Sequence, residues 1–157
     1  MILKLALFIY IVGALIGAYF LSRTQWAKRI SISERLFQTL HIVGALSGIV
    51  GVGLTITMPE SILSEHIYEV VLMPVFTIYL YVGVALLAQG EDTFDEKQVS
   101  NMANAGGLAF GASWIVVLVI DKLHQAEVFP EAVFFPLYHF SALAIYSAAV
   151  AYFFRKA

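Results

Sequence analysis

Five stretches of the chain carry no Asp, Glu, Lys or Arg, over residues 5–21, 36–58, 70–90, 103–120 and 132–154, and short polar segments separate them. At a rise of about 1.5 Å per residue, runs of this length cross a hydrocarbon core of about 30 Å, the fourth with help from its flanks. The pattern predicts an all-α polytopic membrane protein with five transmembrane helices, over about residues 3–22, 35–58, 66–89, 103–122 and 132–155. Pro59 ends the second run and Pro74 falls near the start of the third. The longest polar connection is the acidic segment 91–98, so residues 1–157 read as one transmembrane domain. Lys4 ahead of an apolar run is also how a secretory signal begins. No small-x-small cleavage site follows it, however, and the basic cluster lies beyond the run, which favours a retained helix.

Composition agrees with the pattern. Hydrophobic residues make up 61% and charged residues 13% of the chain, against about 45–50% and about 25% in soluble domains. Cysteine is absent, which excludes disulfides, thiolate metal sites, iron–sulfur clusters and thiol catalysis. A formal net charge of −2 without a long basic stretch argues against nucleic acid as a partner. The basic residues set the orientation. Arg23, Lys28, Arg29, Arg35, Lys97, Arg155 and Lys156 fall on one side of the five runs, and Lys4 and Lys122 on the other. The positive-inside rule then predicts an outside N-terminus and a cytoplasmic C-terminus in a multi-pass protein of the cell membrane.

Helical spacing assigns faces to the polar positions. In the second run His41, Gly44, Gly48, Gly51 and Thr55 recur at steps of three and four, a small-residue seam of the kind that packs helices closely in a bilayer. The fourth run repeats the pattern in Asn104, Gly107, Gly111, Trp114, Leu118 and Asp121, and Gly107-x-x-x-Gly111 is expected to mark a contact inside the bundle. Gly13-x-x-x-Gly17 gives the first run a similar spacing. The third run aligns His66, Glu69, Met73, Phe76, Leu80 and Gly83, and the fifth aligns His139, Ala142, Tyr146 and Ala149.

His66, Glu69, Asp121, His124 and His139 all fall toward the predicted outer face. His66-x-x-Glu69 and Asp121-x-x-His124 each place an imidazole and a carboxylate three residues apart, the spacing with which helical bundles hold metal ions. With His139 as a further ligand, this set suits zinc, iron, manganese or copper(II). Helix ends at a membrane surface also carry such groups for solvation alone, and that reading bears hardest on His66, Asp121 and His124. Intramembrane ionisable groups are functional candidates by default, and Glu69 and His139 fall in that class. Haem b is the second possibility, with His139, His66 and His41 as candidate ligands, His41 needing a copy of itself from a symmetric dimer. A sparse polar route through Glu69, His139, Tyr146, Asn104 and His41 is the third.

Leu40-His-Ile-Val-Gly44 resembles the His-bearing helices of CopD-like and HemJ-like membrane proteins over about a dozen residues, without the Trp usual there. No function is carried over from that likeness. The expectation is a small membrane protein that binds a metal ion or haem near its outer face, as a redox or respiratory accessory subunit. The alternatives are a small oligomeric transporter or channel for protons or small ions, and a structural subunit without chemistry of its own. The lipid bilayer, further copies of the chain or the subunits of a membrane complex are the expected partners.

Overall fold

The computed structural model describes residues 2–25, 33–64, 67–89 and 96–155, and all the regular structure among them is helical. Helix α1 spans Ile2–Leu21, α2 Glu34–Thr57, α3 Pro59–Ser64, α4 Ile67–Gln89, α5 Glu96–Gln125 and α6 Phe134–Arg155, the last entered through a single 3-10 turn, Glu131–Val133. Glu34–Thr57, Val99–Gln125 and Glu131–Phe154 are long and apolar enough to cross a membrane, which marks the chain as a helical membrane protein. The other two predicted spans fall on α1 and α4, whose described apolar stretches, Phe8–Leu21 and Val71–Val84, are shorter.

Local chemistry explains the helix ends. Ser33 caps α2 by accepting from the Leu36 N–H at 3.2 Å, with Glu34 beside the positive end of the dipole. Pro59 disfavours helical backbone at the residue before it, and Met58 leaves the helix at φ −136° and ψ 54°. The same proline begins α3, because a first helical position needs no N–H donor. This short helix lies between two predicted spans and was not expected from the pattern. Helix α5 also begins seven residues earlier than expected, taking Glu96, Lys97 and Gln98 from the acidic connection, and runs on to Gln125. Glu96 in its first turn and Lys122 and His124 in its last complement the dipole at both ends.

The turn after α5 closes with two backbone bonds, Val128 N–H to Leu123 O at 3.0 Å and Glu127 N–H to His124 O at 2.9 Å. That pairing is a Schellman motif, and it holds Glu127 at φ 55°, a conformation that favours glycine. Glu127→Gly is therefore expected to stabilise the protein by about 1 kcal/mol, by removing left-handed strain and a misplaced negative charge. A thermal melt of the purified variant would check it, and an unchanged or lower midpoint would count against the strain.

Helix α6 is the hub, packing most extensively against α2 and next against α5. Helix α1 lies on α4, where the Tyr10 hydroxyl donates to Thr77 Oγ1, whose own proton goes to Met73 O. Helices α4 and α5 share at most a slight contact. One buried cluster joins Phe37, Val82, Ala105, Ala149, Val150 and Phe154 at the end where α2 begins, and a second joins Ile120, Val133 and Leu137 at the opposite end.

The predicted α2 seam is the buried face of that helix, since Phe37, His41, Gly44, Gly48, Gly51 and Thr55 are its buried residues. A Cβ added at Gly48 would come 2.5 Å from Ala144 N and 2.7 Å from Phe140 O, and one at Gly51 would enter the Phe140 ring. The α5 expectation is overturned. Asn104, Gly107, Gly111, Trp114 and Leu118 are exposed, and Cβ atoms built on Gly107 and Gly111 would meet nothing within 4 Å. Helix α5 instead buries Ala105, Ala109 and Ile120. Alanine methyls supply packing surface while still permitting close approach, so α6 docks on the alanine side. Gly13 and Gly17 likewise face no neighbour. Of the expected α6 face, Ala149 is buried and Ala142 half-buried, while His139 and Tyr146 are exposed.

Candidate functional site

Of the candidates predicted toward the outer face, Asp121, His124 and His139 are described. His66 and the side chain of Glu69 lie outside the described residues. Asp121 Oδ2 accepts from Gln125 Nε2 at 2.8 Å, and Lys122 Nζ donates to Gln125 Oε1 at 2.7 Å, a surface chain that closes the end of α5. His124 is half-buried, with Nδ1 3.4 Å from Phe129 O. Among the described residues no three His, Asp or Glu side chains gather as a metal ion would require. Asp121, His124 and His139 thus do not form a ligand set by themselves.

His139 belongs to a different surface. It follows Phe134 by five residues, which puts it about 7.5 Å along α6 from the helix start. The ring is exposed, stacked on Phe135 with centroids 5.3 Å apart and an interplanar angle of 26°, and flanked edge-on by Tyr138 at 5.6 Å. Its Nδ1 is 2.8 Å from Phe135 O. A carbonyl only accepts, so Nδ1 carries the proton and Nε2 of the neutral ring keeps its lone pair. Metal-ligating histidines are oriented in this way, one nitrogen on a backbone carbonyl and the other on the metal. Phe110, Ser113, Trp114 and Val117 of α5 and Tyr138 of α6 line a notch of about 290 Å³.

His41 is the buried counterpart. It is 2% exposed, with Nδ1 donating to Phe37 O at 2.9 Å. Phe37, Tyr79 and Tyr146 surround it at centroid distances of 4.4, 5.1 and 5.9 Å. The Tyr79 hydroxyl is hydrogen-bonded to Ser147 Oγ across the α4–α6 contact, near the middle of both helices. Gly44 makes room for this pair, because a Cβ there would lie 2.7 Å from Ser147 Oγ.

No protein-family model, curated protein or solved structure matches this chain. The site therefore stands on its geometry. An apolar cleft of about 310 Å³ beside α2 is lined by Val43, Val50, Ile62, Val71 and Phe140 among others, and its lining among the described residues holds no titratable side chain.

Tyr79 and Ser147 were not reached from the sequence. Tyr79 falls one position off the stripe that carries Phe76 and Leu80, and an isolated Ser in an alanine-rich helix gives no signal. A tyrosine at mid-span is the one cue available, since its hydroxyl needs a partner there. Tyr79→Phe is expected to cost about 1 kcal/mol, as one neutral hydrogen bond inside a helical bundle does. Unfolding in mixed micelles would measure it, and no loss would mean that the pair is dispensable.

Proposed function

We propose that this is a five-span protein of the cell membrane, N-terminus outside, that binds haem b through His139 and serves as a redox or respiratory accessory subunit. The Lys and Arg distribution supports the orientation, and the apolar stretches of α1 and α4 support the two further spans. The observation that carries the haem reading is the His139 ring itself. It is exposed, its Nδ1 proton is committed to Phe135 O, and its Nε2 lone pair remains for a ligand.

The surroundings favour haem over a bare cation. A divalent ion needs three or more protein ligands, and the described residues supply no such group. Haem brings four ring nitrogens of its own, so one imidazole per chain suffices, and a flat apolar macrocycle suits Phe110, Trp114, Phe135 and Tyr138. A divalent ion held by His66, Glu69, Asp121 and His124 is the competing form of this reading, and metal analysis separates the two. Purified protein is expected to show or to gain a haem absorbance spectrum, lost in His139→Ala and retained in the double variant Asp121→Asn, His124→Ala. A colourless protein that takes up no added haemin would end the proposal.

The buried His41 and Ser147, with the half-buried Tyr79 and the partly exposed Tyr146 beside them, favour a second reading, a proton or small-ion route, because polar groups near mid-membrane are retained at a cost. Proton flux into vesicles, lost in His41→Ala, would support it.

A further inference from the structure

The notch lined by α5 and α6 carries polar groups that the chain itself leaves unused. Phe110, Ser113, Trp114, Val117 and Tyr138 line it. Phe110 and Trp114 meet edge-on, with ring centroids 6.3 Å apart and planes at 79°. The Ser113 hydroxyl donates to Ala109 O at 2.7 Å and is thereby used up. The Trp114 indole N–H and the Tyr138 hydroxyl, by contrast, have no hydrogen-bond partner among the described residues. Trp114 is 59% exposed and lies close to the midpoint of the Val99–Gln125 span. Tryptophan ordinarily sits at the membrane interface, where water and headgroups take up its N–H. At mid-span hydrocarbon offers no acceptor, and an unsatisfied donor there is costly. Lipid ester groups lie at the edge of the core, about 15 Å away.

We propose that the notch binds a membrane-dissolved isoprenoid quinone, with its ring against Phe110, Trp114 and Tyr138 and its tail in the surrounding lipid. A quinone ring supplies what the notch lacks. Its carbonyl oxygens accept from an indole N–H and a phenol O–H, and its flat body suits aromatic walls. At about 290 Å³ the notch has roughly twice the volume of an engineered cavity that accepts benzene, so one substituted ring fits and a long tail must leave it. The donor set also discriminates by oxidation state. A quinol brings hydroxyl protons that need acceptors, and of these two side chains only Tyr138 accepts, because an indole nitrogen only donates. The oxidised ring is therefore the better ligand. The proposal rests on α5 and α6 spanning the membrane and does not require haem at His139, which is not among the lining residues.

The test is equilibrium binding of a short-tailed 1,4-benzoquinone to the full-length protein in detergent, with an alkylbenzene of equal tail length as competitor. Trp114→Phe and Tyr138→Phe keep the aromatic walls and remove one donor each. Each is expected to weaken binding about 2–10-fold, the worth of one neutral hydrogen bond, with thermal melts confirming that the variants fold. The corresponding quinol is expected to bind more weakly by a similar factor. The chain has two tryptophans, so a Trp26→Phe background leaves Trp114 as the sole indole, and its fluorescence is expected to fall saturably as the quinone binds. His139→Ala is expected to leave quinone binding unchanged. Quinone binding of this kind in a protein that takes up no haemin would end the haem reading and support this one. Unaltered affinity in both Phe variants, or no quenching of Trp114, would overturn the proposal. Displacement of the quinone by an equal concentration of the alkylbenzene would also overturn it, because the notch would then take hydrocarbon alone.

Discussion

Gly48→Leu is expected to yield no stably folded protein, whereas Gly107→Leu is expected to fold as the parent does. Both residues lie mid-helix in a Gly-x-x-x-Gly or similar spacing, and by sequence alone they are alike. The difference is what each faces. At Gly48 even a methyl carbon would come within 2.5 Å of Ala144 N and 2.7 Å of Phe140 O, both backbone atoms of α6. Backbone cannot turn aside as a side chain can, so α2 and α6 would have to separate along their main contact. Overpacking ordinarily costs about 1–3 kcal/mol, and loss of the hub contact would put this substitution at or above the upper end. At Gly107 the added side chain enters open space. Thermal unfolding of both variants in detergent is the measurement. Comparable midpoints for the two would show that α2 and α6 are not held by close backbone approach.

That pair of glycines also marks what could be read from the sequence and what could not. The α2 seam was legible because His41 and Thr55 occur on the same three-four spacing as Gly44, Gly48 and Gly51. Glycine, histidine and threonine together are poor company for lipid, so only a packed face accounts for them. On α5 the glycines and the alanines each trace a line of their own, Gly107 with Gly111 and Ala105 with Ala109. Either line permits close approach, and the choice depends on where α6 lies, which no local pattern records. The bundle and the position of its buried histidine were therefore readable, while the inner face of α5 was not.

The candidate site was legible to the level of residue type. His139 was identifiable as an ionisable group inside an apolar run. Its outward direction was not, because α6 has alanines on several sides and periodicity alone does not rank its faces. The carbonyl of Phe135 four residues earlier is available to any helical histidine in the right rotamer, so the free Nε2 is a property of structure.

Phe140→Ala is expected to cost about 3 kcal/mol, with a partner effect that identifies the cause. Phe140 is 1% exposed and its ring fills the space left by Gly51 on the facing helix. In water, truncating a buried Phe loses both transfer energy and packing, about 3–5 kcal/mol together. In a bilayer the transfer part shrinks, since lipid tails are as apolar as the core, and lost dispersion contacts remain. That argues for the lower end of the range. Gly51→Ala alone should destabilise as well, because its methyl would meet the ring. In the Phe140→Ala background the same methyl enters a cavity, so Gly51→Ala should become neutral or stabilising. The double variant would then be more stable than the sum of the single losses by about 1–3 kcal/mol, within the range of directly contacting residues. Unfolding of the four proteins in mixed micelles gives that coupling. Strict additivity would mean that the ring and the glycine do not share one space, and that α2 and α6 are held together at some other level of the seam.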